Sequence, residues 1–416
     1  MFSSRGWGFR RLAESHAGSV GGDTMVALAL AGSLFFSVPT TDARRNVVLY
    51  LLITLAPFAL IGPFLGRVYE RFPSAYRGGL VISSGLRIPI VVAMILRPEP
   101  LVLFPLAFML LVLSRFHGIS RSSLLPVVLA TPRDLIAANA QLARIGVLAS
   151  AVVAPLGALG IWITDERAAL ILACALFVWS TVSATGLPAL DPSAVASLAG
   201  TVEPGEHPRS TTPRPVRLAR FATAGVRFLN GFLLLLVAFA FRTDTDANVL
   251  DFSALLGAAG LGYFIAALAT PVLDRYISEE PMVVAGLAVE AGAAFIAAQQ
   301  FGLPAAAALA AAAGFAWGTA KFGFDGLLQA TMPAGSRGRA FTNSETFFQF
   351  AWVVGALIPI VPVMPVELGL IVAGLMALAI QVVYVSAVLV PVVTQRRRQV
   401  SAGSPPPDGD VLDLLR

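Results

Sequence analysis

Six ionisable side chains are the candidates for charges inside the long apolar stretches of this sequence, where their types could do chemistry. A charge in the middle of an apolar helix costs roughly 2.5 to 3.5 kcal/mol on insertion scales, so it needs a partner, water or a function. A carboxylate in such a place can bind and release a proton, and an approaching cation can drive the release. The six residues are Asp23, Arg87, Arg144, Arg227, Glu290 and Glu345.

Other kinds of reactive site are excluded by the residue types. The single cysteine, Cys174, lies in an apolar stretch, so an intramolecular disulfide and a thiol-ligated metal site are both ruled out. The histidines His16, His117 and His207 fall in separate segments without zinc spacing. No glycine-rich phosphate loop is present, nor a nucleophile with a base and an orienting group. We therefore expect neither an enzyme nor a bound cofactor or metal.

The elements that must hold the six charges are membrane helices. The 416 residues are 57% hydrophobic and only 13% charged, with a mean hydropathy of +0.79, whereas about a quarter of residues are charged in soluble domains. About twelve apolar runs are each long enough to cross a bilayer core about 30 Å thick. We call them spans 1 to 12, and they lie near 16–39, 46–66, 79–97, 100–117, 137–162, 167–188, 221–242, 250–272, 281–300, 303–329, 341–364 and 367–392.

The distribution of basic residues predicts the orientation of the chain. With the N-terminus in the cytoplasm, 21 of the 29 Lys and Arg residues, Lys321 among them, lie on that side and five lie on the other. Such an excess places both termini in the cytoplasm of a multi-pass protein of the cell (inner) membrane. The net charge of +5 thus reflects topology, and no nucleic-acid partner is expected.

The chain is organised as two similar halves. Residues 191–220 are rich in Pro, Ser, Thr and charge, which is typical of a cytoplasmic linker between six spans in 1–190 and six in 221–394. The composition of 395–416 predicts a disordered tail. One ungapped offset of 204 residues superimposes Thr41 and Asp42 on Thr245 and Asp246, Arg71 on Arg275, Asn139 on Asn343, and Pro155 on Pro359. The sequence therefore predicts an all-α membrane protein of two pseudo-symmetric six-helix bundles, an architecture that binds substrate near the midplane.

Three local patterns carry a family resemblance. The segment GRVYERF, from Gly66 to Phe72, follows span 2, and its second-half copy is TPVLDRY, from Thr270 to Tyr276. SRGRAF begins at Ser336, and SAVVAPLGALG in span 5 contains Pro155 and Gly157. These patterns and the repeat resemble the major facilitator superfamily, and in particular its twelve-helix drug/proton antiporter branch.

The resemblance implies a role for the charged loops. In this superfamily such charges form a conformational latch that biases the inward-facing against the outward-facing state, whereas the alternative is that they are solvated loop charges. Pro155 and Gly157 would correspond to an antiporter-like packing motif. The latch candidates are Gly66, Glu70, Arg71, Asp274, Arg275, Arg337 and Arg339.

The resemblance also implies that spans 1, 4, 7 and 10 line a central cavity. Asp23 in span 1 and Arg227 in span 7 lie at matching depths, so they could pair across it or Asp23 could titrate. The alternative is that both snorkel to the headgroups or only hold helices together. We expect Asp23 to be the only carboxylate inside these four spans. The substrate-contact candidates, which could equally be packing or lipid-facing residues, are Asn230, Phe315, Trp317 and Phe322.

The remaining intramembrane charges are expected to have static roles, with Arg144 and Glu345 in a structural network and Arg87 and Glu290 at peripheral positions. The sequence as a whole predicts a monomeric secondary transporter, with proton-coupled efflux of hydrophobic or amphipathic small molecules by alternating access. Its partners would be the substrate, protons and the lipid bilayer. The alternatives are an importer or lipid translocator of the same fold, and a non-transporting receptor or scaffold.

Overall fold

The computed structural model describes residues 6–30, 76–96, 100–129, 135–187, 213–244, 249–273, 279–360 and 364–401. Within these ranges the chain forms eleven α-helices and one 3-10 turn, Ile358–Ile360. Span 2 lies outside the described residues, and each of the other predicted spans corresponds to one helix. The helices are α1 Gly6–Leu30, α2 Tyr76–Leu96, α3 Pro100–Val128, α4 Leu135–Ile163, α5 Glu166–Thr185, α6 Arg214–Asp244, α7 Val249–Leu273, α8 Glu279–Gln299, α9 Leu303–Thr331, α10 Ala334–Leu357 and α11 Val366–Ser401.

Several of these helices have the length and the apolar composition of membrane spans. In the described ranges there are seven, each with at most two charged residues in an 18-residue window: α2, α4, α5, Arg214–Phe241 of α6, Ala254–Leu273 of α7, α9, and Val366–Ala387 of α11. A helix satisfies all its backbone hydrogen bonds internally, which is what a hydrocarbon core requires. The chain is therefore a multi-pass membrane protein.

The first helix begins ten residues before the predicted span 1. Its added turns carry Arg10 and Arg11, which pair with Glu14 at 2.8 and 3.0 Å, and Arg11 lies over the Trp7 ring at 4.2 Å. Pairs at these spacings stabilise a helix in water, where apolar periodicity gives no signal. Asp23 is consequently about 26 Å from the start of its helix.

The described residues form two compact units. Unit 1 contains α1 to α5 together with residues 328–346, which are the end of α9 and the start of α10. Unit 2 contains α6 to α8, α9 up to Leu327, α10 from Phe347 onward, and α11. The domain boundaries expected from the linker stay a prediction.

In unit 1, α1 packs against α5 and α4 through small residues. A Cβ on Gly18 would lie 2.8 Å from the carbonyl oxygen of Leu176, so only glycine lets α1 approach α5 this closely. The core beside this contact includes Met25 and Phe177, both fully buried. This packing fixes the face of α1 that carries Asp23.

In unit 2, close backbone contacts join α6 to α10. A Cβ on Gly355 would overlap the carbonyl oxygen of Phe228, and a Cβ on Gly231 would overlap that of Trp352. Two glycines facing each other's helix bring the backbones together, as small residues do in membrane bundles. The contact sets the distance between Arg227 in α6 and the aromatic residues of α10.

Candidate functional site

The centre of unit 1 is an ion pair between Asp23 in α1 and Arg87 in α2. Arg87 is fully buried, and its Nη1 donates to Asp23 Oδ1 at 3.1 Å and to Ser19 Oγ at 2.9 Å. Its Nη2 donates to the carbonyl oxygen of Leu113 at 2.9 Å, and Ser114 Oγ donates to Asp23 Oδ2 at 2.7 Å. The Asp23 side chain is 34% exposed. The pair thus combines a guanidinium that is fully buried with a carboxylate that can still contact water or a ligand.

Arg87 was expected to be peripheral, and the structure instead makes it the partner of Asp23. The pairing of Asp23 with Arg227 stays a prediction.

Each helix presents its polar residues one turn apart, because positions three or four residues apart share a helix face. The resulting polar column comprises His16, Ser19 and Asp23 of α1, Ser83, Ser84 and Arg87 of α2, Ser114, His117 and Arg121 of α3, and Ser180 of α5.

The hydrogen bonds of this column determine where His117 carries its proton. Ser180 Oγ donates to the carbonyl oxygen of Ser15 at 2.7 Å, so it must accept from Ser84 Oγ at 2.9 Å. Ser84 Oγ then has to accept from His117 Nδ1 at 3.2 Å, since a hydroxyl has one proton to give. This assigns the proton of a neutral His117 to Nδ1. Its Nε2 is buried without a hydrogen-bond partner among the described residues.

The column continues past His117 to a second histidine. Arg121 Nη1 lies 3.0 Å from Nε2 and 3.3 Å from Nδ1 of His16, which is 8% exposed. A guanidinium is a donor only, so His16 accepts from it as a neutral ring. The charged and titratable groups facing His117 are therefore Arg87 from α2, His16 from α1 and Arg121 from its own helix. The sequence shows these polar residues at helical spacing within each helix. It does not show that the helices bring them together in one column.

In unit 2, Arg227 lies between two tryptophans. Its guanidinium carbon is 4.6 Å from the ring centroid of Trp317 in α9 and 5.6 Å from that of Trp352 in α10. Trp317 also makes an edge contact with Phe348 at 6.2 Å between centroids. Arg227 and both indoles are half-buried. The three residues form a cluster that we call the Arg227 cluster.

The same unit holds an ion pair that we did not predict. Lys321 and Asp325 pair within α9, with side chains 14% and 4% exposed. Lys321 was counted among the cytoplasmic cations, and that position stays a prediction; α9 continues for about 15 Å beyond it to Thr331. Asp23 is therefore not the only carboxylate inside the predicted cavity spans. The repeat offset superimposes Lys321 on His117 and Asp325 on Arg121.

The other substrate-contact candidates occupy different environments. Phe322 is 2% exposed and packs against Tyr263 of α7 at 5.3 Å between ring centroids. This burial favours the packing role that the sequence left open. Phe315 and Asn230 are half-buried, and Asn230 Oδ1 is buried without a hydrogen-bond partner in the described ranges.

Two of the latch candidates are described. Arg337 is buried and donates from Nη2 to the carbonyl oxygens of Gln329 at 3.2 Å and Met332 at 3.1 Å. It thereby satisfies backbone groups at the end of α9, which a helix terminus leaves without partners. Arg339 is exposed. The other five candidates, Gly66, Glu70, Arg71, Asp274 and Arg275, lie outside the described residues.

A buried amide pair links the end of α9 to α3 and α4. Asn139 Nδ2 donates to Gln329 Oε1 at 2.6 Å, and Gln329 Nε2 donates to the carbonyl oxygen of Ser122 at 2.8 Å. The three residues are at most 6% exposed. These bonds hold residues 328–346 within unit 1. In the sequence, Asn139 was identified only because the repeat offset superimposes it on Asn343, and no sequence feature indicated Gln329.

The remaining predicted residues are Gly157, Pro155 and Glu290. Gly157 is buried, and a Cβ there would lie 2.5 Å from Met25 Sδ, which supports its packing role, whereas Pro155 is exposed. Glu290 is 1% exposed, and neither of its carboxylate oxygens has a hydrogen-bond partner within the described part of the chain.

Comparison with known proteins extends this picture. No protein-family model matches the sequence. An uncharacterized protein of Mycobacterium leprae is 27% identical over 376 residues, which cover 80% of this chain and 63% of that protein. An uncharacterized protein of Mycobacterium tuberculosis is 35% identical over 133 residues, which cover 30% of this chain and 24% of that protein. The chain thus spans less than two thirds of the length of these relatives.

Solved structures match over nearly the whole chain. A bacterial homologue of the iron transporter ferroportin, in an outward-facing state, has a TM-score of 0.69 at 15% identity, covering 91% of this chain and 98% of that one. The human organic anion transporter MFSD10 has a TM-score of 0.69 at 14% identity, covering 91% and 99%. The major facilitator superfamily transporter FucP has a TM-score of 0.65 at 12% identity, covering 91% and 98%. The chain therefore has the fold of the major facilitator superfamily transporters.

Proposed function

We propose that this protein is a secondary active transporter that exports hydrophobic or amphipathic small molecules by alternating access, driven by proton exchange. The observation that carries the proposal is the pair of Asp23 with Arg87, because it places a partly exposed carboxylate beside a fully buried cation in a membrane bundle. Such intramembrane charges mark ion and substrate pathways in membrane proteins. The fold supports the transporter class, and the proton is inferred from the carboxylate.

In this mechanism Asp23 binds the transported proton. The ionised carboxylate accepts bonds from Arg87 and Ser114. A proton on Asp23 removes the charge that balances Arg87, so it weakens the contact between α1 and α2. A cationic or hydrogen-bond-donating substrate near Asp23 would compete with the proton for the same oxygens. Substrate binding and proton release are thereby linked through one carboxylate.

Residues 328–346 provide the differential contact that a two-state transporter needs. The bonds of Gln329 with Asn139 and Ser122 hold this segment against α3 and α4, and Arg337 bonds to the backbone at Gln329 and Met332 within the segment. We infer that these bonds form in one conformation of the cycle and break in the other. Arg71 and Arg275 would act in the same latch, as the family resemblance implies.

The proposal is tested in proteoliposomes with an imposed pH gradient. Asp23→Asn should abolish gradient-driven accumulation of a substrate, while exchange of the substrate down its own gradient continues. Glu367→Gln is the matched control, because it removes an exposed carboxylate in the first turn of α11. An Asp23→Asn protein that still concentrates substrate in response to pH would remove Asp23 from the coupling role.

The direction of transport is tested with the same vesicles. One similar structure is that of the E. coli fucose:proton symporter, so an importer of the same fold is the second candidate. Accumulation driven by a gradient that is acidic inside the vesicle supports antiport, whereas accumulation driven by one that is acidic outside supports symport. Absence of flux for a broad panel of compounds and lipids would favour a receptor or scaffold.

A further inference from the structure

One nitrogen of the buried His117 ring has no hydrogen-bond partner in the described part of the chain. The ring is 2% exposed, its Nδ1–H donates to Ser84 Oγ at 3.2 Å, and Nε2 is the nitrogen without a partner. We propose that Nε2 accepts a hydrogen bond from the guanidinium of Arg87 when Asp23 has bound a proton. His117 is then a positioning residue for proton binding. This inference rests on the proposed function, because it describes the proton-loaded state of that transporter.

Arg87 needs another acceptor once Asp23 is neutral. Its side chain is fully buried, and its Nη1 bond to Asp23 at 3.1 Å supplies the only countercharge among the described residues. A buried cation that loses its partner is strongly disfavoured unless other groups compensate it. The guanidinium carbon lies 5.0 Å from the centroid of the Phe177 ring, inside the bundle. Because Arg87 is enclosed, the replacement acceptor has to lie within unit 1.

The helix spacing places His117 one turn from Arg87. Arg87 Nη2 donates to the carbonyl oxygen of Leu113 at 2.9 Å, and Leu113 lies four residues before His117 on α3. Ser84, which bonds to Nδ1, lies three residues before Arg87 on α2. Positions at these spacings share a helix face, so the ring and the guanidinium lie between the same two helices. One turn is about 5.4 Å, a distance that rotation about the bonds of an arginine side chain covers.

The other groups that face His117 do not compete with Arg87 for Nε2. They are His16 from α1 and Arg121 from α3. Arg121 Nη1 lies 3.0 Å from His16 Nε2, so Arg121 keeps its acceptor whether or not Asp23 is protonated. Two guanidinium groups beside the ring disfavour a second proton on it, because their charges have the same sign. The ring therefore offers a lone pair and not a positive charge.

The helices α4 and α5 bring no further charge to this place. The only charged residue of α4 is Arg144, and it does not act on His117. Beyond Arg167, the only titratable residue of α5 is Cys174, whose thiol lies 4.0 Å from the carbonyl oxygen of Ile88. Within the described residues, the proton on Asp23 therefore decides whether Arg87 needs His117.

Infrared titration of the full-length protein in lipid nanodiscs tests the inference. The carbonyl band of a neutral carboxylic acid that disappears in Asp23→Asn reports the proton on Asp23. His117→Leu removes an acceptor that Arg87 needs only in the protonated state, so the midpoint of this titration should fall by about one pH unit or more. His117→Gln keeps a donor for Ser84 and an acceptor for Arg87, and it should restore most of the midpoint.

Ser84→Ala is the matched control. It removes the closer contact of Nδ1 and leaves Nε2 in place, and Ser83 Oγ at 3.5 Å still accepts from Nδ1, so the midpoint should stay close to that of the parent. An unchanged midpoint in His117→Leu, or an equal fall in Ser84→Ala, would overturn the inference. A rise in His117→Leu would also overturn it, because a rise is expected only if the ring carries a positive charge near Asp23.

A stability measurement tests the same contact without a titration. Asp23→Asn removes the countercharge of Arg87 permanently, so the guanidinium should depend on His117 in that background. We expect His117→Leu to raise the unfolding equilibrium constant at least about tenfold more in Asp23→Asn than in the parent, which corresponds to one charge-assisted hydrogen bond. His117→Phe, which keeps a ring without the nitrogens, replaces His117→Leu if that variant does not fold. Additive effects of the two substitutions would contradict the contact.

Flux measurements separate failure of this inference from failure of the proposed function. A coupled pair of Asp23 and His117 in a protein that transports nothing in response to a pH gradient would contradict proton-driven transport alone. Gradient-driven flux that Asp23→Asn abolishes, together with additive effects and an unchanged midpoint in His117→Leu, would contradict the role of His117 alone.

Discussion

Replacing either member of the Asp23 and Arg87 pair should destabilise unit 1 by different amounts. Asp23→Asn leaves a fully buried guanidinium without a countercharge, although Ser19 and the Leu113 carbonyl still accept from it. Removing one partner of a buried pair typically costs about 3 to 5 kcal/mol. Because two acceptors remain, we expect Asp23→Asn to lower the free energy of unfolding by about 3 kcal/mol, the lower end of that range.

Arg87→Met should cost less. The Asp23 carboxylate is 34% exposed and keeps the Ser114 hydroxyl, so it can rehydrate or take up a proton. The lost bonds to the guanidinium are offset in part by burial of the methionine side chain, and we expect about 1 to 2 kcal/mol. The double variant should cost no more than Arg87→Met alone, because the buried unpaired charge is gone.

The assay is a double-mutant cycle on reversible unfolding in mixed micelles, followed by tryptophan fluorescence. We expect a coupling energy of about 3 kcal/mol, a factor of about 150 in the unfolding equilibrium. The coupling should change little between low and high salt, because buried pairs are weakly screened. A coupling below about 0.5 kcal/mol, or a larger cost for Arg87→Met than for Asp23→Asn, would refute the reasoning.

Three further predictions follow from the described contacts and the charge distribution. Gln329→Leu leaves Asn139 buried without its acceptor, so we expect a loss of about 1 to 3 kcal/mol from the conformation described here, measurable as increased distance between spin labels on residues of α4 and α9. Gly355→Leu forces a side chain onto the Phe228 carbonyl, and little monodisperse protein should be recovered in detergent, whereas Gly78→Ala, which has open space around it, should behave as the parent. A cysteine introduced into residues 191–220 should resist impermeant thiol reagents in intact cells, and rapid labelling from outside would contradict the orientation.

The membrane class and most helices could be predicted from the sequence because they depend on local properties. A run of about twenty apolar residues spans a bilayer whatever its neighbours are, since each helix satisfies its own backbone bonds. Local patterning did not reveal the start of α1, because Arg10 and Arg11 lie in a helical segment without apolar periodicity. The repeat offset relates Lys321 of the second half to His117 of the first.

The partners of the charged residues were decided by tertiary structure alone. Asp23 and Arg87 are 64 residues apart, and Asn139 and Gln329 are 190 apart. Helical periodicity shows which residues share a helix face. Several helices in the chain carry polar faces, however, and hydropathy does not indicate which polar face pairs with which. Glycines such as Gly18 determine which faces meet, because only there do two backbones come close enough. That choice depends on the fit of complete helices against one another, which makes Arg87 the partner of Asp23 and stacks Arg227 on two indoles.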